Sequence, residues 1–311
     1  MPPSRGDIPV SFPRRFVLVG NPVRRSASPA MHRAAYRALG LPHVYDAIEC
    51  RDAGALNAVV KALRSRSIAG MNITTPYKRD VLQFVDDVHS SVDETGAANT
   101  LVLSPAERLV AYNTDLPALV SELRALRPNI ATAVILGAGG AAAAAVAACK
   151  SIGVRVIAIT TRSWSSSEAV FESAAATHLR NKGALTLIWP TAQSSASSNL
   201  SSAMHLQWAE LAASADLIIQ ATSAGMMNGD PGHEIAASVP WARLNKSAVA
   251  IDLVYGPTDT PFLAAARSHG LRAVNGVGML VRQGALSFEL WLRQKPPLDV
   301  MMDAVTGYLQ T

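Results

Sequence analysis

The chain has 311 residues, of which 49% are hydrophobic and 16% charged, and its net charge is +5. This composition excludes wholesale disorder and supplies apolar residues for roughly two domains of ~100–200 residues each. The positive excess is small and scattered, so it argues against a nucleic-acid-binding protein and suits an enzyme with anionic ligands.

Cysteine usage and the apolar runs indicate a cytoplasmic protein. Cys50 and Cys149 are far apart and share no metal-ligand spacing with histidine, so we expect reduced thiols. No apolar core of signal-peptide length precedes Phe16, and the most apolar run, 139–149, is too short to cross a bilayer, which needs ~20 residues. We therefore predict no membrane and no nucleic-acid partner, and the sequence leaves the oligomeric state open.

Strands alternate with helices through the first half of the chain, which predicts an α/β layer. The predicted strands cover 16–19, 43–48, 68–74 and a hairpin of 100–103 with 108–112, and the predicted helices cover 28–40, 53–66 and 116–126. Ser28 and Pro29 predict a helix start with the hydroxyl as N-cap. Pro76 predicts the start of another helix, and Asp115 the cap of the last one in this half.

The second half repeats the alternation. Its predicted strands cover 133–136, 154–159, 216–220, 248–252 and 271–274, and its last helices cover 278–293 and about 298–309. A serine-rich stretch, 191–203, predicts a surface insertion without an assigned function. Strand, glycine turn, helix and strand follow one another within about 30 residues at the start of this half, which is typical of a dinucleotide-binding unit.

The glycine turn has the pattern G-x-G-x-x-A at Gly137, Gly139 and Ala142. The two glycines permit a tight turn and close approach of a pyrophosphate, and the small third residue lets the helix lie on the sheet. The helix N-terminus then offers N–H donors to the phosphates. The residues predicted to hold the pyrophosphate are Gly137, Ala138, Gly139, Gly140 and Ala141.

The end of the next strand predicts which nicotinamide cofactor binds. An NAD site places Asp or Glu there for the ribose 2′-hydroxyl, whereas this chain has Thr161, Arg162 and Ser163. A guanidinium pairs well with a 2′-phosphate. We therefore predict NADP, with NAD as the alternative.

Polar residues of the first half predict the substrate site, and the densest run is Gly70 to Lys78, GMNITTPYK. Period-two alternation places Asn72 and Thr74 on one face of a strand end. A hydride-transfer enzyme acting on an alcohol needs a group that takes the hydroxyl proton, and a lysine oriented by an aspartate meets that need. Lys78 and Asp115 are the candidates.

Three further polar residues are candidates for substrate contacts: Asn99, which follows a Gly-Ala-Ala run, and the pair Ser26 and Ser28 before a helix, for which capping is the alternative. A metal site is not expected. The seven histidines show neither the spacing H-x-x-x-H nor a cluster with carboxylates.

Together these motifs resemble the shikimate dehydrogenase family, including its quinate/shikimate members, from about Phe16 to Trp291. The matching runs, in the family's order, are GNPVRRSASPAMH, NITTPYK, AANT, NTD, GAGGAA, TRS, ATSAGM, DLVYGPTDTPFL and NGVGMLVRQGALSFELW. The resemblance implies an N-terminal α/β substrate domain (1–118, completed by a C-terminal helix, 285–311) and a Rossmann-type NADP-binding domain (119–284). It places the active site in the cleft between them.

The resemblance also implies residue roles. Lys78 and Asp115 match the catalytic pair. The substrate positions that it implies are Ser26, Ser28, Asn72, Thr74, Lys78, Asn99, Asp115, Tyr255 and Gln283. Besides the glycine turn and residues 161–163, the cofactor positions that it implies are Thr222, Leu253, Gly276 and Met279.

The sequence departs from the family pattern at three places. Thr161 and Ser163 replace the usual Asn and Thr, and Ser166 stands where a second basic residue is common, which weakens the preference for NADP. Gln220 replaces an asparagine, and Leu116 a glycine after the catalytic aspartate.

The predicted activity is reversible, NADP-linked hydride transfer between 3-dehydroshikimate and shikimate. Two alternatives stay open: an NAD-preferring quinate/shikimate dehydrogenase, and a non-catalytic regulator that only senses the ligand. Because a regulator has no need for a proton-transfer pair, Lys78 and Asp115 argue against the second alternative.

Overall fold

The computed structural model describes residues 12–126, 129–190, 207–226, 229–256 and 259–310, which form two six-stranded sheets flanked by helices. The predicted α/β class is confirmed. The serine-rich stretch 191–203 and the N-terminal residues 1–11 lie outside the described residues. Among the helices that are described, none combines the length and the apolar character needed to cross a bilayer.

The first sheet is mixed. Its strands are β1 (Arg15–Gly20), β2 (Val44–Glu49), β3 (Gly70–Ile73), β4 (Asp87–Val88), β5 (Thr100–Leu103) and β6 (Leu109–Tyr112), in the order β2-β1-β3-β5-β6-β4. β1 runs parallel to β2 and β3, whereas β5 is antiparallel to β3 and β6. The predicted hairpin of β5 and β6 is thus confirmed. The helices of this half are α1 (Ser28–Ala38), α2 (Ala53–Arg64), α3 (Ser90–Thr95) and α4 (Asp115–Leu126).

The second sheet is entirely parallel. Its strands are β7 (Thr132–Leu136), β8 (Val156–Thr160), β9 (Leu185–Thr186), β10 (Leu217–Gln220), β11 (Val249–Asp252) and β12 (Arg272–Val274), in the order β12-β11-β10-β7-β8-β9. The chain starts in the middle at β7 and changes direction between β7 and β10, where doubly wound sheets bind dinucleotides. The helices along this sheet are α5 (Gly140–Ser151), α6 (Ser167–Glu172), α7 (Ala174–Asn181), α8 (207–213), α9 (His233–Ala237) and α10 (Pro261–Ser268).

The last two helices, α11 (Val277–Leu292) and α12 (Leu298–Leu309), return to the first sheet. α11 bridges both cores, because Met279 packs beside the second sheet and Phe288 packs with α1 and β1. Trp291 donates from Nε1 to the carbonyl of Leu101 on β5 at 3.0 Å. These contacts are compatible with the predicted domain bounds, which stay a prediction.

Three predicted helix starts differ from the structure. A turn follows Pro76, and a 3-10 helix begins only at Asp80, so the prediction of a helix at Pro76 is wrong. α1 begins at Ser28, but its N-cap is Ala27 and no side chain caps it. Asp115 does not cap α4: the side chain of Asn113 accepts the N–H of Leu116 at 3.0 Å, which leaves the Asp115 carboxylate available for other contacts.

Candidate active site

The centre of the site is a contact between Lys78 and Asp115. Lys78 lies in the turn after β3, and Asp115 is the first residue of α4. Lys78 Nζ donates to Asp115 Oδ2 at 2.7 Å, with 21% and 10% of the two side chains exposed. A lysine amine and a carboxylate, 37 residues apart in the sequence, are therefore held together and still accessible from one side.

Asn99 orients this pair from the end of the loop before β5. Its Nδ2 donates to Asp115 Oδ1 at 2.9 Å and to Gln283 Oε1 at 3.3 Å. Its Oδ1 accepts the backbone N–H of Thr114 at 2.8 Å. One amide thus fixes the second carboxylate oxygen, the start of α4 and a side chain of α11. The structure brings together four predicted site residues here: Lys78, Asn99, Asp115 and Gln283.

Asn72, another predicted substrate contact, is held by bonds within the protein. Its side chain is buried, and Oδ1 accepts the hydroxyl of Tyr45 at 2.7 Å. Nδ2 donates to the Asn99 carbonyl at 3.0 Å and to Ser287 Oγ at 2.9 Å. Through these bonds Asn72 supports Asn99 from below, and its contact with substrate stays a prediction.

A second group of hydroxyls surrounds the loop after β1. Ser26 Oγ lies 3.2 Å from Ser28 Oγ and 3.4 Å from the hydroxyl of Tyr255. Burial raises the pKa of Tyr255, so the phenol is a neutral donor. Thr74 donates its backbone N–H to the carbonyl of Val19 at 2.8 Å, which places it at the start of the same loop. Three predicted substrate contacts therefore touch one another, and Thr74 lies beside their loop.

The glycine turn after β7 fits a pyrophosphate. Gly137 has φ +120°, and a Cβ atom there would stand 2.8 Å from the carbonyl oxygen of Ala221. Gly139 is exposed, and a Cβ atom on it would meet nothing within 4 Å. The first N–H groups of α5 have no acceptor within the helix. Donors and open space thus lie together where a dinucleotide is expected.

The remaining predicted cofactor positions lie in separate parts of the second domain's core and loops. Thr222 lies beside Gly137, since a Cβ atom on that glycine would stand 3.1 Å from Thr222 Cγ2. Gly276 lies against Leu253, whose carbonyl oxygen would be 2.5 Å from a Cβ at position 276. Met279 packs in the core beside the second sheet. Gly276 and Met279 are buried by the protein itself, whereas Thr222 and Leu253 stay partly exposed.

Residues 161–163 form the turn after β8. Thr161 accepts the N–H of Trp164 through its carbonyl at 2.9 Å, and Ser163 is exposed. Arg162 forms an ion pair with Asp230. Ser166, at the position where a second basic residue is common, caps α6 by accepting the N–H of Ala169 at 3.2 Å.

A buried carboxylate that was not predicted from the sequence holds the two loops near the positions predicted for the nicotinamide. Asp252 Oδ2 accepts the hydroxyl of Thr260 at 2.5 Å, and Oδ1 accepts the N–H of Val254 at 2.9 Å and Gln220 Nε2 at 3.2 Å. Burial raises the pKa of Asp252 to about 6, and the hydrogen bonds from Thr260 and Val254 counteract the rise. Gln220, one of the departures from the family pattern, therefore serves to join β10 to β11.

Ser287 was also missed, although the sequence carried a signal for it. It lies four residues after Gln283, so both side chains share one face of α11. Tyr45 had no such signal. Within the part of the chain that the structure describes, no three His, Cys, Asp or Glu residues form a group that could hold a metal ion.

Two family models match the chain. The shikimate dehydrogenase substrate binding domain matches residues 18–101, and the shikimate 5′-dehydrogenase C-terminal domain matches residues 276–306. A shikimate dehydrogenase (NADP(+)) of Symbiobacterium thermophilum is 35% identical over 295 residues, which cover 94% of each chain.

Solved structures agree with these matches. Shikimate 5-dehydrogenase from Thermus thermophilus, in complex with NADP(H) and shikimate, is 30% identical, with a TM-score of 0.76 over 95% of this chain and 100% of that one. Shikimate 5-dehydrogenase from Listeria monocytogenes, in complex with shikimate and NAD, is 27% identical, with a TM-score of 0.77 over 93% and 95% of the two chains.

Proposed function

The chain belongs to the shikimate dehydrogenase family, and from that premise we propose how its own residues catalyse the reversible NADP-dependent conversion of shikimate to 3-dehydroshikimate. When bound, the nicotinamide accepts a hydride from the substrate carbon or returns it. The observation that carries the proposal is the 2.7 Å contact between Lys78 and Asp115 at the start of α4.

Lys78 is the proton-transfer group. In the oxidation of shikimate its neutral amine accepts the proton of the hydroxyl that becomes the ketone, and in the reduction its ammonium group returns that proton. Asp115 holds the amine through Oδ2, while Asn99 holds the other carboxylate oxygen. The pair is oriented before substrate arrives, which lowers the entropic cost of reaching the reactive geometry.

The hydroxyls of Ser26, Ser28, Thr74 and Tyr255 hold the substrate carboxylate and ring, together with Gln283. The cluster of three hydroxyls around Ser26 supports this assignment, because neighbouring neutral donors suit a carboxylate. Gln283 Oε1 already accepts from Asn99, so its amide connects the substrate ring to the catalytic pair.

We propose that three groups of residues bind NADP. Gly137 to Ala141 bind the pyrophosphate, Thr161 to Ser163 bind the 2′-phosphate, and Leu253, Gly276 and Met279 lie toward the nicotinamide. Thr222, beside Gly137, is a further cofactor contact. We also propose the domain bounds 1–118, 119–284 and 285–311, and a cytoplasmic location. The packing of α11 and α12 on α1 and β1 supports the assignment of the last residues to the substrate domain.

Initial rates with purified protein test the function. Shikimate and quinate are each combined with NADP+ and NAD+, and we expect the highest kcat/KM for shikimate with NADP+. A higher kcat/KM for quinate with NAD+ would favour the NAD-preferring quinate/shikimate dehydrogenase. Tight binding of shikimate without turnover would favour the ligand-sensing regulator.

A further inference from the structure

Arg162 is flanked by two carboxylates that are far from it in the sequence. Its Nη1 forms an ion pair with Asp230 Oδ2 and lies 3.5 Å from Glu234 Oε2. The side chains are 39%, 35% and 59% exposed, so solvent and ligands reach all three. With one cation and two anions, this acidic clamp carries a formal charge of −1.

The two carboxylates of the clamp come from the loop before α9 and from the first turn of α9. Asp230 Oδ1 accepts the N–H of Gly232 at 2.8 Å, and its backbone carbonyl accepts the N–H of Gly225 at 2.7 Å. The Gly232 N–H and the Arg162 guanidinium lower the pKa of Asp230, so its carboxylate is charged at neutral pH. Glu234 lies in the first turn of α9 and reaches the guanidinium from there.

We propose that Asp230 and Glu234 are specificity-determining residues that reduce the preference of this enzyme for NADP over NAD. The proposal rests on the proposed function to the extent that Arg162 faces the 2′-phosphate. A 2′-phosphate must share the guanidinium with Asp230 or displace it, and it meets the negative charge of Glu234 nearby. The 2′-hydroxyl of NAD is neutral and meets no such repulsion.

An arginine that is free binds a phosphate more readily than an arginine that is already paired with a carboxylate. Arg is suited to a phosphate because its N–H groups donate in parallel to two oxygens. In this structure Nη1 is engaged by Asp230 and close to Glu234, and Ser166 supplies no second positive charge. Removing either negative charge therefore raises affinity for the phosphate and leaves the rest of the dinucleotide site unchanged.

Direct binding of two small probes tests this without any turnover. Adenosine 2′,5′-bisphosphate carries the 2′-phosphate, and 5′-AMP lacks it. Dissociation constants are measured by calorimetry for the wild type and for Glu234→Gln and Asp230→Asn. We expect each variant to bind the bisphosphate about two- to fivefold more tightly at low salt, as for exposed charge pairs, and 5′-AMP as before.

Matched variants distinguish the effect of a lost charge from the effect of a disturbed loop. Glu289→Gln removes an exposed carboxylate near the end of α11, where this helix packs on the first sheet, and should change neither constant. Arg162→Gln should abolish the preference for the bisphosphate over 5′-AMP. Because this ion pair is the one contact described for the Glu234 carboxylate, the Glu234 variant tests the charge even where Asp230→Asn loosens the loop.

Three outcomes would overturn the proposal: unchanged bisphosphate affinity in Glu234→Gln, an equal gain for both probes, or an Arg162→Gln variant that keeps the preference. Failure of the proposed function would look different. In that case shikimate would not be turned over, while the preference for the bisphosphate and its rise in the two variants would persist.

Discussion

Lys78 and Gly140 meet across the two halves of the molecule: a Cβ atom built on Gly140 would stand 3.6 Å from Lys78 Cδ. Gly140 is the first residue of α5, so the lysine proposed to transfer the proton lies directly beside the turn proposed to bind the pyrophosphate. The two proposed sites therefore meet at this contact.

Replacing Lys78 with methionine should reduce kcat by about 100-fold or more, because a positioned acid/base typically contributes that much. The methionine keeps most of the side-chain volume and removes only the amine, so the dissociation constant for shikimate should change little. Stopped-flow or steady-state rates and a direct binding measurement check this. Arg79→Met, which removes the neighbouring exposed cation, is the control and should retain wild-type kcat. An unchanged kcat in Lys78→Met would exclude the proposed role.

Gly139→Ala should separate cofactor binding from folding. Position 139 has φ −86°, which alanine adopts readily, and a Cβ atom there meets nothing within 4 Å. The methyl group would occupy the space that the pyrophosphate needs, so we expect the dissociation constant for NADP+ to rise about tenfold or more. The melting temperature without ligand should stay within a few degrees of the wild type. Unchanged NADP+ affinity would place the phosphates elsewhere.

Gly70→Ala should destabilise the substrate half. A Cβ atom on Gly70 would stand 2.5 Å from Trp291 Nε1, and this buried indole would have to move and weaken its bond to Leu101. Overpacking of this kind typically costs about 1–3 kcal/mol, measured as the free energy of unfolding in urea. Gly307→Ala is the matched control: it lies exposed in α12 with open space around it, and alanine there should raise stability by up to ~1 kcal/mol. Equal effects of the two substitutions would contradict the packing argument.

Stability should fall in acid because of His32. This residue is 0% exposed, its ring nitrogens have no hydrogen-bond partner among the described residues, and burial lowers its pKa from 6.5 to about 3. Below pH 6.5 the unfolded chain binds a proton that the folded protein does not. The free energy of unfolding should therefore decrease by about 1 kcal/mol per pH unit as the pH falls from 6.5 to about 3.

The variant His32→Phe isolates this contribution. Phenylalanine can keep the stacking on Tyr45, whose ring centroid lies 4.2 Å away, but it does not titrate. The difference in unfolding free energy between wild type and variant, followed in urea from pH 7 to pH 4, should shrink or invert toward acid. Asp252 acts in the opposite direction, since its raised pKa of about 6 makes folding less favourable as the pH rises from 3.8. That effect is common to both proteins and cancels in the difference; two parallel curves would refute the assignment to His32.

Features that depend on local chemistry were predicted from the sequence, and those that join distant segments were not. The strands, the hairpin and the glycine turn follow from apolar periodicity and from turn residues, and the structure confirms them. The turn after Ile73 was misread, because proline is common both at helix starts and in turns. The residues that this turn contacts lie elsewhere in the sequence, so no local pattern reveals them.

The same limit applies to the partners of the predicted site residues. Asn72 is 215 residues from Ser287, and Arg162 is 68 residues from Asp230. The types of these side chains suggest ligand binding, but only the structure shows that Asn72 bonds to Tyr45 and Ser287 and that Arg162 is paired with Asp230. Lys78 and Asp115 could be predicted because the reaction itself requires two such groups.

The return of α11 to the first sheet has a consequence for biosynthesis. Trp291 covers the strands that contain Gly70 and Leu101, yet the ribosome adds it roughly 180 residues after the last strand of that sheet, a delay of about 10–40 s at typical elongation rates. The strands of the second sheet are contiguous from β7 to β12, and Met279 of α11, which packs beside them, follows β12 almost at once. In a growing chain, the second sheet can therefore form soon after its own residues are made, whereas the first sheet waits for α11 until near the end of translation.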